Sequence, residues 1–289
     1  MNKVVFGIII LVLYTAAGCK NHTEGADEKT NITVSVVPQK YIVKKIAGNE
    51  YDVNVMVPPG ASPAVYEPSP RQLGQLNQSV AYLQLGHIVF EKAWMEKIKA
   101  ATDGLRVINI TDGLEMIEHE GSVDPHSWTS PEMVSHMAGN IADALSGINP
   151  DRKDTFQANL KNFRHEIRMM QDSIHQMLKP YQGEAFMIYH PALSYYCREF
   201  DLKQIPIEQE GKEPSASQMQ QIIRTGRQHN IKAILIQKQF DQKSAKTIAK
   251  ELDAEVISIN PLAENWKQSV MDITINLVKA FKKGNHGTR

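Results

Sequence analysis

Between Pro150 and Pro180 the chain contains neither glycine nor proline. Within Asp151–Lys179 the residues Phe156, Leu160, Phe163, Ile167, Met170, Ile174 and Leu178 recur three or four positions apart. Residues at that spacing collect on one face of an α-helix, so the segment predicts a single long amphipathic helix, opened by Pro150 and closed before Pro180. A rod of this length cannot be buried in a small core. It must connect or flank whatever the rest of the chain builds.

The sequence on both sides has one rhythm. Before the rod, Ile32–Val37, Tyr51–Val57, Ala81–Leu85 and Arg106–Ile110 read as strands, with helical patterns over Glu91–Ala101 and Pro131–Leu145. After it, Ala185–Tyr189, Ala233–Gln237 and Glu255–Ile259 read as strands, with helices near Ser215–His229, Lys243–Leu252 and Glu264–Phe281. Strands alternating with helices imply parallel βαβ units. The expected fold is α/β: two Rossmann-like lobes, 32–149 and 181–289, joined by one rigid helix at 150–180. Such lobes bind ligands beyond the C-terminal ends of their strands, which here means the cleft between them.

Lys3, the apolar run Val4–Leu13 and the small residues Ala16, Ala17 and Gly18 describe a secretory signal, and the run is too short to span a bilayer comfortably. Ala16-Ala17-Gly18-Cys19 resembles a bacterial lipobox, although the strict motif has Leu where Ala16 stands. The expectation is a signal over 1–19, Cys19 as the lipidated first residue, and a polar tether over 20–31. Cys197 is then the one cysteine left, so no intramolecular disulfide is possible. It reads as a small buried hydrophobe or as a lone soft metal ligand.

Thirty-two basic residues balance thirty-two acidic ones, which leaves no positive excess for nucleic acid. No Gly-x-Ser-x-Gly, His-Glu-x-x-His, Gly-x-Gly-x-x-Gly or Walker A motif occurs. None of these motifs points to a reaction, and two histidines are the informative residues instead. His126, in Asp124-Pro125-His126-Ser127-Trp128, is stiffened by its proline and has Asp124 close enough to orient the ring. His190 follows the Ala185–Tyr189 strand directly, where an α/β lobe presents ligand groups. Neutral imidazoles held at a cleft edge suit Zn²⁺ or Mn²⁺.

Several segments together resemble the zinc/manganese ABC-transporter solute-binding lipoproteins. They are Pro58-Pro59-Gly60-Ala61-Ser62-Pro63 with Tyr66-Glu67-Pro68-Ser69-Pro70, the Asp124–Trp128 motif, His190-Pro191-Ala192-Leu193-Ser194-Tyr195-Tyr196, Glu210-Gly211-Lys212-Glu213-Pro214-Ser215 and Asn260-Pro261-Leu262. The resemblance implies ligand roles for His126 and His190, and it exposes two departures. Ala64 stands where the family carries a metal-binding His, and Asn260 where it often carries an Asp. Asn260 offers only a neutral carbonyl oxygen, which suits hard ions better than zinc. His87, Glu67, His119, Glu208 and Glu210 are the candidates to complete the site. His87 ends a strand, and Glu118-His119-Glu120 occupies the place of a His-rich acidic loop. Glu208, Glu210 and Glu213 read more readily as loop charges and helix-start residues than as ligands.

The resemblance thus implies the solute-binding component of a metal ABC importer that delivers a divalent ion to its permease. Zinc is favoured over manganese, because the manganese branch resembles two His plus two carboxylates. The protein would be exported, monomeric and lipid-anchored, periplasm-facing rather than on the cell surface. Three alternatives stay open at this point: a degenerate relative with another ligand, a surface adhesion lipoprotein, and a zinc hydrolase for which no general-base motif exists.

Overall fold

The computed structural model describes residues 31–286, apart from 103, 120, 209, 210 and 241. Cys19, the signal and the tether up to residue 30 lie outside the described residues, as does Glu210. The first sheet is built from β1 (Asn31–Val34), β2 (Asp52–Val55), β3 (Ser79–Gln84) and β4 (Arg106–Asn109), in the order β2-β1-β3-β4 and parallel throughout. β1 is central, and its Ile32, Thr33 and Val34 are all buried. A parallel sheet covered by helices on both faces requires an apolar run rather than strict alternation. The helices of this lobe are α1 (Val37–Ala47), the short α2 (Pro70–Gln75) and α3 (Val89–Ala101).

α1 differs from the sequence expectation, which extended the first strand to Val37. The strand stops at Val34, and Pro38 lies in the first turn of the helix. A proline fits there because the early helical N–H groups have no intrahelical partner to lose. Gln39 supplies the missing cap: its Oε1 accepts from the N–H of Ser35 and of Val36 at 3.0 and 2.9 Å, while its Nε2 donates to Leu83 O at 2.8 Å. One buried amide thus ties the end of β1 to β3.

A two-stranded hairpin, β5 (Glu118–His119) with β6 (Ser122–Val123), precedes α4 (Pro131–Ile148). α4 begins at Ser130, whose hydroxyl accepts from Met133 N at 3.2 Å, a side-chain N-cap. A short turn leads into α5 (Lys153–Leu178), the long rod. Phe156, Leu160, Phe163, Ile167, Met170, Ile174 and Leu178 are all buried, forming one stripe that packs against α1, α4 and the last helix.

The second sheet comprises β7 (Ala185–Ile188), β8 (Lys203–Pro206), β9 (Ala233–Gln237) and β10 (Glu255–Ile259), in the order β10-β9-β7-β8 and again parallel. Its helices are α6 (Ser194–Phe200), α7 (Ala216–Gln228), α8 (Lys243–Leu252) and α9 (Trp266–His286). Two parallel-sheet α/β lobes joined by one long helix are the expected fold class. Among the described residues no helix is long and apolar enough to cross a membrane.

Tryptophans lock the lobes together. Trp128 Nε1 donates to Pro261 O at 3.0 Å, and Trp266 Nε1 donates to Trp128 O at 2.6 Å. Both indoles are buried, so each N–H has found the partner that burial demands.

Candidate metal centre

The chain leaves β7 at Ile188 and reaches His190 two residues later. Gln237, at the end of β9, grips the His190 peptide from both sides. Its Nε2 donates to His190 O at 2.6 Å, and its Oε1 accepts from His190 N at 3.3 Å. Glu208 follows β8, and its Oε1 lies 2.7 Å from His190 Nδ1. The Phe240 ring stacks on the imidazole with centroids 5.3 Å apart. Backbone, Nδ1 and ring face are each fixed by a different element.

His126 is fixed more locally. Asp124 N donates to Ile117 O at 2.8 Å, closing the neck of the β5–β6 hairpin. Asp124 Oδ1 then accepts from His126 N at 2.9 Å and lies 2.8 Å from His126 Nδ1. Burial pushes the Asp124 carboxyl up, but hydrogen bonds from His126 and Ser194, with the charge of the imidazole, hold it below the usual carboxylate range. A carboxylate oxygen beside Nδ1 of each ring fixes its orientation and turns Nε2 outward.

Those outward nitrogens meet. His126 Nε2 and His190 Nε2 are 3.1 Å apart, with ring centroids separated by 5.0 Å. Two such nitrogens can share a proton or share a cation. In tetrahedral zinc, Zn–N bonds of about 2.0–2.1 Å separate two ligand nitrogens by about 3.3 Å, so the rings need shift only tenths of an ångström to bind an ion between them.

The remaining candidates are placed differently. Glu208 is buried behind His190, at Nδ1 and not at the converging Nε2 atoms, and its Oε2 has no hydrogen-bond partner. Glu67 is exposed on the proline-rich loop, and Ala64 is exposed on the same loop. His87 is half-buried after β3, and its ring is held below the ordinary histidine range by burial and by the Lys92 charge, against the opposing pull of Glu118. His119 lies in β5, paired with Ser122. Asn260 is exposed, its Oδ1 accepting from Leu262 N at 3.2 Å, and it lines a cavity of about 300 Å³ with Lys238, Asn265 and Asp272. Among the described residues no group of three or more His, Cys, Asp and Glu side chains converges to hold an ion. Cys197 is buried in the core, where burial pushes its thiol up and leaves it inert.

The sequence reading missed Gln237 and Phe240, which hold His190, and Glu91, which caps the turn after β3. Gln237 alone could have been noticed, as the polar end of an otherwise apolar strand. Glu91 sits in the first turn of α3 and is buried. It accepts from Leu85 N at 2.8 Å, from Gly86 N at 2.5 Å and from the Ser35 hydroxyl. Burial raises its carboxyl to about 7 despite these bonds. Gly86 adopts φ +86°, and a Cβ there would meet the Asn109 side chain at 3.0 Å. Glycine is needed at this turn for both reasons.

The chain is similar to several known proteins. Zinc-binding lipoprotein AdcA of Streptococcus pneumoniae is 25% identical over 91% of this chain, which spans 56% of that relative's length. The high-affinity zinc uptake system protein ZnuA of Bacillus subtilis is 24% identical, covering 96% of this chain and 94% of its own. A crystal structure of ZnuA superposes with a TM-score of 0.84 at 37% identity, over 88% of this chain and 99% of that one. A zinc-bound ZnuA deletion mutant gives 0.83 at the same identity, over 88% and 98%. The family described as ZnuA, zinc-uptake complex component A, periplasmic, matches residues 32–283. The chain belongs to that family.

Proposed function

We propose that this protein is the solute-binding component of a zinc ABC importer, exported and held at the membrane by a lipid on Cys19. It catalyses no reaction: it captures the ion between its lobes and delivers it to a permease. The observation that carries this reading is the 3.1 Å approach of His126 Nε2 to His190 Nε2, each ring backed by a carboxylate at Nδ1. Imidazole nitrogen is a good donor for zinc and a poorer one for the harder Mn²⁺, so zinc is the first cargo and manganese the second.

His126 and His190 supply the lobe-to-lobe pair, while Asp124 and Glu208 orient their rings and hold them in place. The indole ties of Trp128 and Trp266 and the long α5 argue against a wide clamshell motion. Loading and release then proceed by small movements of the His126 and His190 loops. The test is a competition titration of the chelator-stripped protein with a chromophoric zinc chelator. One tightly held zinc per chain is expected. A protein that takes no zinc from the chelator would contradict the reading.

A further inference from the structure

Two consecutive residues of α6 reach across to the His126 side of the site. The Tyr195 hydroxyl is buried, donates to Asp124 O at 2.6 Å and accepts from Ile117 N at 3.1 Å. Asp124 N itself donates to Ile117 O. Tyr195 is therefore wedged into the neck of the hairpin, satisfying one backbone group on each of its strands. The Ser194 hydroxyl meets the Asp124 carboxylate, and it is held in turn by Gln204 Nε2 at 2.7 Å. Gln204 Oε1 accepts from Leu193 N at 3.0 Å, so one amide on β8 orders the turn that follows His190.

The consequence is a crossed arrangement. Asp124 alone among the contacts of His126 fixes both its backbone N–H and its Nδ1. Asp124 is in turn gripped at its carbonyl and its carboxylate by the helix that leaves His190. We propose that Tyr195 is a positioning residue of the metal site, setting the His126 ring from the opposite lobe so that the two imidazoles keep their spacing without the ion. This inference rests on the zinc-capture reading above.

Tyr196 provides the matched control. It is the next residue of the same helix, is equally buried, and its hydroxyl pairs with Thr274 Oγ1 at 2.6 Å, away from the hairpin. Tyr195→Phe and Tyr196→Phe each delete one buried hydroxyl, and both variants should lose thermal stability. Only Tyr195→Phe should weaken zinc binding, by about 10–100-fold, the usual effect of removing a group that orients a ligand. Imidazole ¹⁵N spectra of the metal-free protein should show the His126 ring signals changed in Tyr195→Phe and unchanged in Tyr196→Phe.

Ser194→Ala, which spares the hairpin neck, should shift affinity and spectrum in the same direction and serves if Tyr195→Phe does not fold. Affinity and spectrum unchanged in Tyr195→Phe would overturn the proposal while leaving the zinc reading intact, as would equal weakening in both Tyr variants. A wild-type protein that binds no zinc would overturn both.

Discussion

His126 Nε2 and His190 Nε2 stand 3.1 Å apart, although the two residues come from opposite lobes and are separated by 64 positions. Each ring is pinned through its other nitrogen, to Asp124 at 2.8 Å and to Glu208 at 2.7 Å. The entropy of assembling the pair has therefore been met by folding, and binding an ion costs little reorganisation. His126→Ala and His190→Ala should each lower zinc affinity more than any substitution of a supporting residue. Competition titration measures this, and wild-type affinity in both variants would remove the pair from the site.

The carboxylates behind the rings should matter less than the rings and more than the surface. Asp124→Asn and Glu208→Gln keep the shape and alter the contact that orients each imidazole. Each should weaken zinc binding by roughly 10–100-fold. Stopped-flow release from the zinc-loaded protein should locate most of the loss in a faster off-rate. No change in either constant would mean that the carboxylates only fill space.

His87 is the residue whose position most invites a ligand role, since it follows β3 as His190 follows β7. Among the described residues it joins no converging group of His, Cys, Asp and Glu. His87→Ala should leave zinc affinity within about threefold of wild type, the scatter expected for a residue outside the coordination set. A tenfold loss would place it in the set in spite of this geometry.

Much of this was legible in the sequence, and the limit has a physical cause. The α5 stripe and the β-branched strands are local periodicities, so they can be read without knowing what packs on them. His126 and His190 stood out because each sits at a junction where α/β lobes present ligands. Glu208 stood out only as a candidate ligand, Gln237 only as the polar end of an apolar strand, and Tyr195 not at all as a site residue. Their roles depend on β7 lying between β8 and β9 and on α6 meeting the hairpin neck, and those are pairings between distant segments. Pro38 misled for a local reason, because a proline that ends a strand also suits the first turn of a helix.

Glu91 makes a prediction about stability. Its ordinary value is 4.5, and in the fold it is raised to about 7, chiefly by burial. The fold therefore favours the protonated carboxyl. That contribution is complete below about pH 4.5 and is lost as pH rises through 7. Each tenfold change in proton affinity is worth about 1.4 kcal/mol, so the loss across this window is roughly 3 kcal/mol. Denaturant unfolding of Glu91→Gln should lack this downward slope relative to wild type between pH 4.5 and 7. Parallel profiles would show that Glu91 ionises in the fold as it does in water.

The proposal that the folded protein holds zinc between the two histidines is open to a direct measurement. It is thermal unfolding of the chelator-stripped wild type and of the His126→Ala/His190→Ala double variant, each with and without Zn²⁺. A ligand that binds only the folded state adds about 2.7 kcal/mol at 100 times its Kd. The expected result is a clear rise in wild-type Tm with zinc, a smaller one with Mn²⁺, and none in the double variant. An equal zinc shift in both proteins, or no shift in either, would contradict capture by this pair.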